Sequence, residues 1–321
     1  MTWLTDALMQ VILLITAALM LGTIVAVVVQ RGLRRRRLRR EAVLDAQVRL
    51  LVLTATVCDD DELPELLQRV DGLDADAQRH VRRTVLGMLR DVTGEAATRL
   101  RAVADAAGMV PAVMAAVEHR SAAVRSDAAE ALGLLRPPGA LRNLRSLAED
   151  RSREVRAVAI RALGAFDDQS ATALIIAAHR TGSGVSNGLA ASALLQQGLV
   201  AGDAVRRALD DPDPGVRHGA TRVAGILQVA GAGDALVGLL RDDHELVRLA
   251  AIRSLEQLPV RSAVPRLLEM ALGEGVEGEA AAAALVALPP SWTADAMAQL
   301  SARAAPAARR AAGLPAREAL A

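Results

Sequence analysis

One short helical phrase recurs along this chain at intervals of 29 to 31 residues. Four copies are clear: Val124-Arg125-Ser126-Asp127-Ala128, Val155-Arg156-Ala157-Val158-Ala159, Val216-Arg217-His218-Gly219-Ala220 and Val247-Arg248-Leu249-Ala250-Ala251. Looser copies begin at Val185 and Val276. A period of this length predicts a stack of helical pairs, because one pair cannot bury its apolar face until neighbours cover it. The aromatic content agrees. Trp3, Trp292 and Phe166 are the whole set in 321 residues, too few rings for a thick globular core but enough for a two-layer stack filled with Ala, Leu and Val.

Helical spacing assigns the faces. With the valine as position 0, residues at +4, +7, +8 and +11 share its side of the helix; in the second copy these are Ala159, Ala162, Leu163 and Phe166. The arginine at +1 lies at the edge of that stripe. Arg125, Arg156, Arg217 and Arg248 are therefore expected to form a ladder, their stems over apolar surface and their heads reaching acids of the turns such as Asp150, Asp213 or Asp243. Positions +2, +6 and +9 point the other way, onto the surface that the second helices build. Its +6 column reads Glu130, Arg161, Arg222, Arg253, with His218 and Leu249 beside it from the +2 column. These six residues are the candidate partner surface, against the plainer reading of a solvated charged face.

Around each copy the chain repeats one sentence: a first helix, a short turn, the Val-Arg helix, then Gly or Pro. First helices are expected near Val110, Ala140, Ala171, Ala204, Ala235, Ala263 and Ala294. Asp213 before Pro214, and Pro111 and Pro265 early in their helices, follow the rules for helix starts. Two helices between Pro64 and Leu89 read as a capping pair. The phrase Val-Arg-x-x-Ala-x-x-Ala-Leu-Gly, intact at 155–164 and 124–133, resembles that of HEAT repeats in their short bacterial form, shared with the phycobilisome-lyase-like group. The third and sixth copies depart from it, with Ser186 and Glu277 in place of the arginine. The resemblance implies an all-α fold, an α-solenoid over 64–304, that presents surface to a protein partner. Residues 305–321, rich in Ala, Arg and Pro, are expected to be a disordered or weakly helical tail.

The N-terminus carries a second signal. From Ala7 to Gln30 there are 24 residues without a charge, which as a helix rise about 36 Å, enough to cross a ~30 Å hydrocarbon core. Seven arginines follow within ten residues: Arg31, Arg34, Arg35, Arg36, Arg37, Arg39 and Arg40. A signal peptide has its positive charge before the apolar stretch; here it comes after. The expected topology is a single transmembrane helix over 7–30, with 1–6 outside, an Arg-rich juxtamembrane helix and linker over 31–63, and the solenoid in the cytoplasm. The arginine run would contact anionic lipid headgroups. Ala18, Gly22 and Ala26 recur at i, i+4 and i+8 and form a candidate face for packing against another membrane helix.

Chemical motifs are few. Gly184-Val185-Ser186-Asn187-Gly188 spells a nucleophile elbow by letter, but an elbow needs a strand before the serine. Gly182-Ser183-Gly184 entering a helix reads first as a flexible turn, with anion binding on free N–H groups as the alternative. Cys58 reads as a buried, inert thiol. The five histidines show no metal spacing, and only His244-Glu245 matches the His-Glu pairs of the HEAT-type iron hydroxylases that this fold resembles. Without the seven juxtamembrane arginines the net charge of +1 falls to about −6, against a nucleic-acid groove. No cofactor, metal, catalytic residue, nucleic acid or small-molecule substrate is expected. The expected function is that of a membrane-anchored scaffold for another, membrane-associated protein, such as an accessory to a polysaccharide-synthesising glycosyltransferase. The alternatives are a lyase-like or hydroxylase-like enzyme using the groove, or a nucleic-acid binder.

Overall fold

A computed structural model describes residues 43–315 together with Met20, Val29, Gln30, Arg31 and Arg34. Apart from Met20, Val29 and Gln30, the expected span over 7–30 lies outside the described residues. So do Ala18, Gly22, Ala26, Arg35, Arg36, Arg37, Arg39 and Arg40. Among the described residues no helix is long and apolar enough to cross a membrane, and every regular element is helical. The chain divides into two compact units, one ending at Met109 and the other beginning at Val110.

The first unit holds α1 (43–57), α2 (Leu63–Asp71), α3 (Ala75–Leu89) and α4 (Gly94–Ala106). Val48, Val52 and Ala55 are the buried side of α1, while Val43, Leu50, Leu53 and Val57 are exposed. Pro64 opens α2, and Asp74 caps α3 by accepting from the Ala77 N–H at 2.7 Å. Arg99 on α4 ties the 58–62 turn down. It donates to the Cys58 carbonyl and pairs with Asp60 at 2.9 Å. Cys58 is buried, as its apolar surroundings in the sequence imply.

The second unit opens inside α5 (Met109–Ala116) and continues as pairs: α5 with α6 (Ala122–Leu135), α7 (Ala140–Ala148) with α8 (Arg153–Leu163), and α9 (Gln169–Ala177) with α10 (Asn187–Gln197). Then come α11 (Gly202–Ala208) with α12 (Pro214–Ile226), α13 (Gly233–Leu239) with α14 (Glu245–Gln257), α15 (Val264–Ala271) with α16 (Val276–Ala287), and last α17 (Pro290–Arg303) with α18 (Pro306–Ala311). Second helices pack on second helices, α6 on α8, α8 on α10, α10 on α12, α12 on α14 and α14 on α16. This all-helical solenoid matches the expected architecture. The tail differs at its start. Residues 306–311 form α18, which packs on α16 because Ala308 and Ala312 add apolar surface and Arg309 donates to the carbonyls of Ser301 and Pro315.

The buried stripe of the second helices is wider than the spacing alone implies. Position +5 is buried in four copies, as Ala129, Ile160, Thr221 and Ile252. Position +9, expected on the outer surface, is a buried glycine in three: Gly133, Gly164 and Gly225. The cause is stacking. A Cβ on Gly133 would lie 2.8 Å from the Ala162 Cβ, one on Gly164 2.9 Å from the Ala193 carbonyl oxygen, and one on Gly225 2.7 Å from the Ser254 Cα. Each glycine therefore receives the +7 residue of the next repeat. That contact also corrects the register of the first loose copy, and the burial of Ala281, Ala284 and Leu285 corrects that of the second. Ser186 and Glu277, not Val185 and Val276, occupy position 0, which leaves Val276 62% exposed and puts Asn187 and Gly278 where the arginine stands elsewhere.

The arginine ladder forms, with Asp150 alone of the three expected acids as a partner. Arg125 donates to both oxygens of Asp150 at 2.7 and 2.8 Å and to the His119 and Arg120 carbonyls. Arg217 does the same with Asp242 at 2.7 and 3.0 Å and the Asp211 and Pro212 carbonyls. In both cases the acid lies 25 residues downstream, so Asp242 and not Asp243 is in reach. Asp213 is occupied in capping α12, accepting from the Gly215 and Val216 N–H groups. Residue 181 is a threonine, so Arg156 turns to the Ser183 carbonyl at 3.1 Å instead. Arg248 finds Glu277 at 2.6 Å.

Gly225→Ala should destabilise the chain by about 1–3 kcal/mol in urea unfolding, because the backbone of Ser254 cannot give way. Gly238 lies in α13 with nothing within 4 Å of its missing Cβ, so Gly238→Ala should instead stabilise by up to about 1 kcal/mol.

Candidate functional site

The +6 side chains face away from both packing directions of the second helix. Arg161, Arg222 and Arg253 are exposed and Glu130 is half-buried; His218 and Leu249 at +2 are half-buried. The structure brings four of the six nominated residues together. His218, Arg222, Leu249 and Arg253 line one groove of about 500 Å³ between α12 and α14. Glu130 and Arg161 stand on α6 and α8 and do not line it. Ala250, Ser254 and Gln257 also line it, with two exposed aliphatic residues that the sequence reading did not single out: Leu246, 67% exposed, and Ile226, 49% exposed.

The groove is cationic at its rim. Among the described residues Arg161, Arg222 and Arg253 have no ion-pair partner, in contrast to the +1 arginines. Burial pushes the His218 imidazole below its ordinary value, and Arg222 and Arg253 push the same way. Glu256, on the turn after Arg253, is raised by burial and pulled back by Arg253. At neutral pH the groove therefore presents two fixed positive charges, a neutral imidazole and aliphatic side chains.

A second cavity, of about 590 Å³, lies beside the first and shares His218 and Leu246 with it. It exists because the third repeat is irregular. Between α9 and α10 the chain takes residues 178–186 to turn, where other pairs need only 149–152, 209–213 or 240–244. Helix α10 starts late, and the Gly182-Ser183-Gly184 loop forms a wall where a first helical turn would stand. His179 also lines this space. It is 2% exposed, and neither ring nitrogen has a hydrogen-bond partner. Asn187 stands by both rings and has its Nδ2 3.3 Å from the His218 Nδ1. The ring lies against Gly219, where a Cβ would be 2.1 Å from Nδ1. Burial pushes His179 down to about 4, with the charges of His218 and Arg222 adding to the effect and Asn187 opposing it.

Sequence reading dismissed the histidines because their spacing lacks a metal pattern. The structure nonetheless brings His179, His218 and His244 to one cavity; among the described residues no group of three metal-ligating side chains is close enough to hold an ion. A signal was present in the chain. His179 falls 31 residues after Ala148 and 30 before Leu209, at a position that is otherwise apolar. The anion alternative for the Gly182–Gly184 loop meets the Asp213 carboxylate, which takes the Thr181 N–H at 3.1 Å. The letter match at Gly184–Gly188 sits on a turn into α10 with no strand before it.

A family profile described as HEAT repeats matches residues 110–195 and 202–289. No curated protein matches the sequence. Several solved structures are similar at low identity. An Escherichia coli protein, YibA, is 18% identical over 79% of this chain and 96% of its own, with a TM-score of 0.40. The CpcE–CpcF complex of phycocyanin lyase from Nostoc is 19% identical over 74% and 94%, at 0.30. Human deoxyhypusine hydroxylase is 19% identical over 85% and 96%, at 0.29.

A buried imidazole that stays neutral in the fold but takes a proton when unfolded loses stability as the pH falls below its ordinary value of 6.5. His179→Leu places at 179 the residue found at 209 and 240, and removes that liability. Between pH 7 and pH 4 the stability difference between the two proteins, from urea unfolding, should shift toward the variant by on the order of 3 kcal/mol. A difference that stays flat with pH would mean the ring is not buried neutral.

Proposed function

The chain belongs to the HEAT-repeat family, and on that premise we propose that it is a non-catalytic scaffold holding another protein at the inner face of the cell membrane. The observation that carries this is the α12–α14 groove, where exposed arginines, without ion-pair partners among the described residues, flank exposed aliphatic side chains. Such a surface suits a segment that alternates acidic and apolar residues. The arginines steer it and fix its register, while Leu246, Leu249 and Ile226 supply the apolar contact. Arg161, on α8, extends the same column of charge beyond the groove.

The membrane anchor is the other half of the proposal. Its support is the uncharged stretch from Ala7 to Gln30 and the seven arginines that follow. The positive-inside bias places the N-terminus outside and the solenoid in the cytoplasm, where the arginine run meets anionic lipid headgroups. Ala18, Gly22 and Ala26 offer a side on which a partner's membrane helix can approach closely. Tethering raises the local concentration of the groove near membrane proteins, so weak contacts suffice. The partner that fits both halves is a membrane enzyme with a cytosolic domain, a polysaccharide-synthesising glycosyltransferase being one such enzyme.

Replacing Arg161, Arg222 and Arg253 together by Glu should lower crosslinked partner recovery from gently solubilised membranes at least tenfold, with the melting temperature of the solenoid unchanged. Equal recovery would remove the groove from the reading. For the anchor, protease added to intact spheroplasts should leave the solenoid uncut, and neutral residues at Arg34 to Arg37, Arg39 and Arg40 should expose it in a fraction of molecules. Digestion of the unaltered chain would refute the topology.

A further inference from the structure

Helix α1 is apolar on two sides, and the fold of one chain uses only one of them. Val48, Val52 and Ala55 are buried within the first unit. On the other side Val43, Leu50, Leu53 and Val57 stand in water, Leu50 68% and Val57 80% exposed, with exposed Ala46 among them. Single apolar residues on a surface are ordinary. A continuous stripe of them along one helix marks a surface that another molecule covers.

The spacing of the stripe says what kind of molecule. Positions 43, 46, 50, 53 and 57 alternate steps of three and four, the 3.5-residue period of a coiled-coil seam. Val43, Leu50 and Val57 take the a positions, and Ala46 and Leu53 the d positions. β-Branched residues at a with Leu at d favour two parallel strands. Helix α1 also stands as a ridge with open space on both flanks. A groove of about 790 Å³ toward α3 reaches Ala46 and Leu53, and one of about 680 Å³ toward α2 reaches Leu50. Asp45, Arg49, Arg83 and Asp91 border the first, and Arg69 and Asp74 the second. With three charges of each sign these flanks gain nothing from an anionic bilayer, which attracts basic segments. A copy of the same mixed surface suits them better.

The chain before α1 sets the direction. Forty-two residues enter the helix at its N-terminal end, among them the uncharged stretch and the arginine run. With that stretch as an anchor, α1 of every copy leaves the bilayer in the same sense, so two copies meet in parallel and in register about a two-fold axis. A seam of about 22 Å is short for a free coiled coil. Here the helix is already formed by packing on its own unit, and the tether raises the local concentration of a second one.

We propose that α1 pairs with α1 of a second copy of this chain as a short parallel coiled coil, with Val43, Ala46, Leu50, Leu53 and Val57 as its seam. The pairing rests on the anchor for its direction alone and is independent of partner capture by the α12–α14 groove.

The test uses the full chain carrying Cys58→Ala in lipid vesicles, with one new cysteine at a time and mild oxidation. Val43→Cys and Val57→Cys should each give disulfide-linked dimers at least tenfold above Arg79→Cys, an exposed site on α3. A disulfide needs Cα atoms within about 7 Å. Residues 43 and 57 lie about 21 Å apart along the helix, so both variants link to themselves only in a parallel pair. Leu50→Glu, at an exposed site, should lower both yields at least tenfold with thermal unfolding unchanged. Yields no higher than that of Arg79→Cys would overturn the pairing, as would yields that Leu50→Glu leaves untouched. Val43→Cys linking to Val57→Cys in a mixture, while neither links to itself, would overturn the parallel arrangement. Flotation of the same vesicles reports on the anchor separately. A chain that floats without linking refutes the pairing and keeps the anchor, whereas one that links without floating refutes the anchor and keeps the pairing.

Discussion

Each clear repeat is held to the next by one arginine. From position +1 its guanidinium donates to carbonyls of the turn just before it, and in three of four cases to a carboxylate of the following repeat. The Arg125–Asp150 and Arg217–Asp242 pairs are largely shielded from water, with Asp242 only 5% exposed. The hydrogen bond from Arg125 holds the Asp150 carboxyl below the usual carboxylate range against the effect of burial; Asp242, despite its burial, is held low by Arg217 and by the His244 N–H. Shielded bidentate pairs of this kind fix geometry more than they add net stability. What they fix here is the turn, and with it the angle at which one second helix meets the next.

That alignment explains the outer surface. Because +9 glycines accept the +7 residue of the neighbouring helix, adjacent second helices approach closely and leave +2 and +6 as the positions that look outward. Arg161, Arg222 and Arg253 at +6 therefore stand on the outer side, with Leu246 and Ile226 beside the last two. The same argument separates the two arginine populations. Those at +1 are engaged by turns and, in three of four cases, acids, while those at +6 have no ion-pair partner among the described residues.

Much of the solenoid was legible because it is written several times. The four Val-Arg copies located their helices, and the starts of most first helices fall within two residues of the positions expected from the turns. Legibility failed where the phrase decays. At Val185 and Val276 the valine was a misleading anchor, since the stack is registered by small residues at +7 and +9 and not by the valine. Asp242 was missed because two adjacent aspartates look alike until the 25-residue spacing of the first pair is applied. Of the partner surface, four residues meet in one groove and Glu130 and Arg161 do not, because a +6 column runs along several repeats while a groove spans two. The His179 cavity was illegible to any search for motifs. It shows only when repeats are aligned and a polar letter appears in an apolar column.

The third repeat also has a mechanical meaning. With Asn187 where a guanidinium would stand, the junction from α10 to α12 lacks the arginine–carboxylate pair found between α12 and α14, and Thr181 offers Arg156 no carboxylate on the other side. In a linear array each unit is stabilised by its neighbours alone, so the joint with the weakest coupling is where fraying that begins at either end comes to rest. At this joint the tie between repeats is made by Asp213 with the Thr181 N–H and by Asn187 with His218, neutral contacts or a backbone contact in place of an arginine–carboxylate pair.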